Sequence, residues 1–365
     1  MTTRVLSFLS LVLALGLFIS CAATAQTPAA PTDEADYLYV CNQGAATVSV
    51  IDVATNEIVD TVDLQALGFS ANAKPHHVVV EPDGSAWYVS LIGENRVLKF
   101  NRQNELVARM ETEVPGLMAL HPTADVLLVG RSMSAVNPPS SISLVRRADM
   151  SPVREIDTFF PRPHALAIRP SGAHAYVASL AENQLLAVNM DDYATELTRL
   201  SGATQTFVQF ALSPDGTTLV ATGQVSGQAL IFDISDPAVP VVTDTIAVNA
   251  QPWHPVFSPD GERVYFGNKQ VHTVTVLNMK TRAVETVIEG NGLAEPHGTA
   301  LSPDGRYLYV SNNNRKGTYR PADASSGTSN NPPGTVTVIN TATNEIEKVI
   351  EVGAYPTGLG TRAAW

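Results

Sequence analysis

One ten-residue phrase constrains the fold of this chain more than any other feature. It reads Pro-His-Gly-Thr-Ala-Leu-Ser-Pro-Asp-Gly at residues 296–305. Variants stand at 75–84 (PHHVVVEPDG), 115–124 (PGLMALHPTA), 163–172 (PHALAIRPSG), 207–216 (FVQFALSPDG) and 252–261 (PWHPVFSPDG). Each opens on a short apolar run that reads as a buried strand. Each closes on a Pro-Asp-Gly-like turn, where Pro presets φ and Gly accepts a positive φ. The second proline falls at 82, 122, 170, 214, 259 and 303, giving steps of 40, 48, 44, 45 and 44 residues. Several short strands copied at that spacing are the signature of a β-propeller blade.

The copies also predict how the ring closes. Residues 36–42, 46–53 and 57–62 alternate as three strands with no phrase before them. The missing inner strand stands at the other end, at 355–359 (YPTGL). The expected fold is therefore all-β: a seven-bladed β-propeller of four-stranded blades, closed by the C-terminal strand joining the N-terminal blade. Closure removes the open sheet edge that invites aggregation. One domain over 37–365 follows, preceded by a signal peptide at 1–25 and a flexible lead-in at 26–36.

The text YVCNQGAATVSVIDVATNEIVDTV at 39–62 and GTVTVINTATNEIEKVI at 334–350, with YVSN at 309–312, resembles the YVTN repeat. Cys41 and Ser311 stand where the family's name motif has Thr. The resemblance spans about residues 36–365 and implies a surface-layer or periplasmic propeller of the lactonase-like superfamily. It implies no single activity.

Residues 5–19 form an apolar run ahead of Ala23-Thr24-Ala25, which reads as a secretory signal with its cleavage site. A competing reading takes Phe18-Ile19-Ser20-Cys21 as a lipobox, with Cys21 lipidated as a membrane anchor. Either way the protein is expected outside the cytoplasm, with no transmembrane span. The chain carries 23 basic and 35 acidic residues, a net charge of −12. Such a surface repels nucleic acid. The expected partner is a protein or a small molecule. Cys41, the other of the two cysteines, sits in an apolar strand and reads as an inert buried thiol.

Aligning the phrases exposes a constellation. Six residues before the second proline stand His76, Gly116, His164, Val208, Trp253 and His297, with Thr357 in the split blade. The next position adds His77 and His254, so five of the eight histidines fall at equivalent points. Propeller symmetry brings those points to one mouth of the channel. His76, His164 and His297 are the candidate metal ligands, because neutral imidazole suits Zn, Cu or haem iron. His77, Trp253 and His254 are candidate ligand contacts. Strict strand alternation sends His76 and His77 to opposite faces. The competing structural reading has these rings bond the backbone of a neighbouring blade. His121, His174 and His272 read as incidental.

Two long connections, 131–140 and 313–333, lie between second and third strands, on the face where inner strands begin. Lys316, Tyr319 and Arg320 give the longer one a basic, aromatic tip expected to contact ligand. The function expected is a binding or scaffold protein with its ligand or partner at the mouth. The alternative is an enzyme there. In architecture the His ring resembles the copper-cluster domain of nitrous oxide reductase and the haem-bearing propeller of periplasmic nitrite reductase, which implies redox chemistry. Lactonase-type hydrolysis instead needs a base and an arginine, for which Glu81 and Arg169 are candidates. Asp83, Asp215, Asp260 and Asp304 are read as turn residues, not as calcium ligands.

Overall fold

The computed structural model describes residues 35–248, 251–319 and 332–362. The segment 1–25, Cys21, most of the lead-in and Arg320 lie outside the described residues. The strands form seven four-stranded antiparallel sheets. The second blade shows the plan from inside outward: Pro75–Val80, Ala86–Leu91, Arg96–Asn101 and Leu106–Glu111. Successive inner strands touch one another all the way round, and Pro356–Gly360 contacts both Pro296–Leu301 and Pro75–Val80. That last strand pairs with Tyr37–Asn42, so the first blade is built from both ends of the chain, as the split phrase predicts.

Small chemical devices recur in the blades. The hydroxyls of Ser213, Ser258 and Ser302 donate to Asp215, Asp260 and Asp304 at 2.5–2.6 Å. The same oxygens accept the N–H of Thr218, Arg263 and Tyr307. Gly216, Gly261 and Gly305 complete these turns at φ of 70–73°. At the end of a second strand, Asn42 Nδ2 donates to Thr47 and Ser49, and Asn268 Nδ2 to Thr273 and Thr275, at 2.8–3.0 Å. Asn312 does the same to Thr337. These are the asparagines of the YVxN-like text, and they bind the second strand to the third.

Every inner strand begins with a sharp change of direction. Lys74, Val114, Arg162, Thr206, Glu295 and Tyr355 immediately precede their inner strands, Gln251 precedes the bridge residue Pro252 of the sixth blade, and all have φ between 43 and 61°. A left-handed L-residue costs about 1–2 kcal/mol, so packing imposes this turn in each blade. A one-residue bulge follows in six blades, as at Pro75/His77 and Pro163/Ala165. In the sixth blade Pro255 has no N–H to offer, and only Val256–Phe257 pairs as strand. There Trp253 N donates to Gly267 O at 2.8 Å instead.

The core lies between blades. Trp87, fully buried, stacks on Phe100 at 4.2 Å and on Tyr39 of the first blade at 4.7 Å. Cys41 is fully buried, and desolvation pushes its thiol well above the ordinary range. Among the described residues no helix is long and apolar enough to cross a membrane.

Candidate ligand site at the mouth of the channel

The five phrase histidines meet. The ring centroids of His76 and His164 are 6.0 Å apart, and those of His76 and His297 are 6.3 Å apart. His254 lies 5.3 Å from His297 and 6.4 Å from His77. None is more than 8 % exposed. The expectation that His76 and His77 face opposite ways is corrected. The bulge between Pro75 and His77 breaks the alternation. His76 joins His164 and His297, while His77 reaches His254 and lines the channel.

Burial keeps the cluster uncharged. Desolvation lowers His76 to about 4 and His77 to about 3. It holds His164, His254 and His297 well below the ordinary histidine value, with neighbouring imidazoles and, for His254 and His297, Lys269 adding to the shift. Neutral imidazole keeps one nitrogen lone pair for a metal or a donor.

Hydrogen bonds set which lone pair is free. Gln43 Oε1 lies 3.2 Å from His76 Nδ1. An amide oxygen only accepts, so Nδ1 carries the proton. His76 Nε2 is then a bare acceptor, buried with no partner. His254 Nε2 and His297 Nδ1 are likewise buried and unpartnered. His164 Nδ1 is 2.6 Å from Ser132 Oγ. Gly116 makes that contact possible, because a Cβ there would lie 2.5 Å from Ser132 Oγ. His77 Nδ1 accepts the Met118 N–H of the next blade at 3.2 Å, so this ring does brace a neighbour's backbone.

As the side chains stand, no three His, Cys, Asp or Glu among the described residues are placed to hold a metal ion. Zinc–nitrogen bonds of about 2.0–2.1 Å require donor nitrogens that converge on one point, which these do not.

A second row of residues escaped the phrase alignment. The residue just after a second strand reaches the next blade: Gln43 to His76, Ser132 to His164, and Asn313 Nδ2 to the carbonyl of Pro356. Lys269 holds the same position in the sixth blade. Its Nζ lies 4.3 Å over the Trp253 ring and 5.9 Å from the Tyr355 centroid. Trp253 is thus held between Lys269 and His297, whose ring is 4.2 Å away. Its Nε1 has no acceptor. Burial lowers Lys269 to about 8 against the opposing pull of Glu295. Alignment on the second strands, in place of the phrase, displays this row.

The seventh-blade loop begins beside the mouth. Arg315 lies 5.4 Å from the Tyr355 centroid. The Lys316 N–H donates to Glu295 Oε2 at 3.2 Å. Tyr319 OH donates to Glu351 on its own outer strand, away from the rings. His272 is less incidental than it reads, since its Nδ1 accepts the Glu295 N–H at 2.9 Å. Glu81 is engaged by Tyr88 OH at 2.7 Å and by Arg147 at 2.8 Å. Arg169 lines the channel, a cavity of about 420 Å³, with His77.

No protein-family model matches the chain, and no curated protein matches it. Solved structures do. A functionally unknown protein from Desulfotomaculum acetoxidans aligns at a TM-score of 0.71 and 15 % identity, over 90 % of this chain and 99 % of that one. Kuenenia stuttgartiensis hydrazine synthase aligns at 0.63 and 20 % identity, over 78 % and 89 %. The dihydro-heme d1 dehydrogenase NirN, in complex with DHE, aligns at 0.60 and 16 % identity, over 91 % and 77 %. At these identities the likeness is one of fold.

Proposed function

We propose that this chain is an extracytoplasmic propeller of the YVTN type that binds a small molecule or partner at its imidazole-lined mouth. In this reading His76, His164 and His297 are nitrogen donors to a transition metal or a haem-type cofactor. The export-like segment 1–25 and the repeat text support the placement. One observation carries the site: neutral, buried rings whose nitrogens at His76, His254 and His297 have no partner. A buried polar atom left unpaired costs about 1–3 kcal/mol, and a bound ligand removes that cost.

The donor chemistry suits Cu, Zn or haem iron. A single ion asks the rings to swing inward from their 6.0–6.3 Å spacing. Iron carried in a macrocycle would need as little as one of these imidazoles to hold it, and the fold is shared with a propeller seen with DHE. Redox chemistry at the mouth is the second reading. It is favoured over lactone hydrolysis, since Glu81 is already held by Tyr88 and Arg147.

Protein purified from its own compartment without chelator should carry about one equivalent of Cu or Zn, or show a haem band. The signal should vanish in H76A/H164A/H297A. Colourless, metal-free protein that takes up neither metal nor haemin on titration overturns the coordination reading.

A further inference from the structure

We propose that the mouth receives an oxyanion group of its ligand, a carboxylate or a phosphate, between Lys269, Arg315 and the indole N–H of Trp253. The inference rests on the ligand-binding reading above and adds the chemistry of the part of the ligand that meets blades six, seven and one.

Charge is the first observation. The chain as a whole is acidic, at −12. The positions just before inner strands and just after second strands carry Lys74, Arg162 and Lys269 against one carboxylate, Glu295. Arg315 adds a further cation from the loop. The imidazoles add none, because burial keeps them neutral. These positions therefore carry more positive than negative charge on an acidic protein, and a local excess of that sign draws anions.

The pairing of these groups is the second observation. Among the described residues neither Lys269 nor Arg315 forms an ion pair; both sit over ring faces instead. Glu295 is turned to the Lys316 N–H. Beside Lys269, the Trp253 Nε1–H is a pure donor, buried and without an acceptor. An unpaired indole donor beside two cations without an ion pair favours a partner rich in acceptor oxygens with negative charge. A cationic ligand is repelled by Lys269 and Arg315. A neutral apolar one leaves the indole N–H unpaired.

The chain has three tryptophans, Trp87, Trp253 and Trp365, so ¹⁵N-indole NMR reads the site directly. The full-length protein is titrated with phosphate and with citrate at constant ionic strength, with chloride as control, and W253F assigns the signal. We expect a saturable downfield shift of the Trp253 N–H with at least one oxyanion and none with chloride. The apparent Kd should weaken at least about tenfold in K269M and in R315Q. A response to citrate alone identifies carboxylate, and one to phosphate alone identifies phosphate. Protein stripped of metal with EDTA and then dialysed should keep the shift, which separates this inference from metal coordination. No saturable shift in the wild type, or one unchanged in both K269M and R315Q, overturns it. R315Q alters an exposed side chain and stays informative even where K269M is poorly folded.

Discussion

His76 and His77 titrate near 4 and 3 in the folded protein because burial removes the water that would solvate their charge. In the unfolded chain they return to about 6.5. Between those values the unfolded state binds more protons than the folded one. Stability is therefore full above pH 6.5 and is lost as the pH falls toward 4, at up to about 1.4 kcal/mol per pH unit for each imidazole. Lys269 beside His76 and His297 works in the same direction, since it stays charged throughout this range. Urea unfolding at pH 7.0, 5.5 and 4.5 should show this slope in the wild type and a shallower one in H76Q/H77Q. Parallel curves for the two proteins would remove the mouth histidines as the source of acid sensitivity.

Single elements carry the repeat through a few polar side chains. Asn268 is fully buried and its amide donates to both Thr273 and Thr275. Replacing it with Leu keeps the branching of the side chain but strands two hydroxyls in the core. The expected loss is about 1–3 kcal/mol, read as a lower urea midpoint with an unchanged m-value. An unchanged midpoint would mean that the asparagine does not tie these strands together. This element-scale logic also explains what could be read in advance. Blade number, blade order and the convergence of His76, His164 and His297 follow from spacing, because each copy must bury the same face. Lys269, Gln43 and Ser132 did not stand out, since their kinship lies in position after a strand and not in residue type. The joint inward turn of His76 and His77 was hidden for a different reason: a bulge adds one residue to the pairing without leaving a mark in the text.

At the scale of the whole molecule, stability depends on the strand Pro356–Gly360, which closes the ring. Gly358 on the closing strand packs so tightly that a Cβ would lie 2.5 Å from His76 O and 2.8 Å from His77 Cα. Gly358→Ala should cost about 1–3 kcal/mol through forced backbone movement, lowering the melting temperature; full retention of wild-type stability would show that this junction is slack. The second row at the mouth gives the closure a further meaning. Gln43 bonds from the first blade to the second and Ser132 from the third to the fourth, while Lys269 of the sixth acts on His297 of the seventh. A molecule bound there would be held like the hub of a wheel, by spokes that are each fastened to two neighbouring segments of the rim. Occupancy of the mouth and closure of the ring would then stabilise one another.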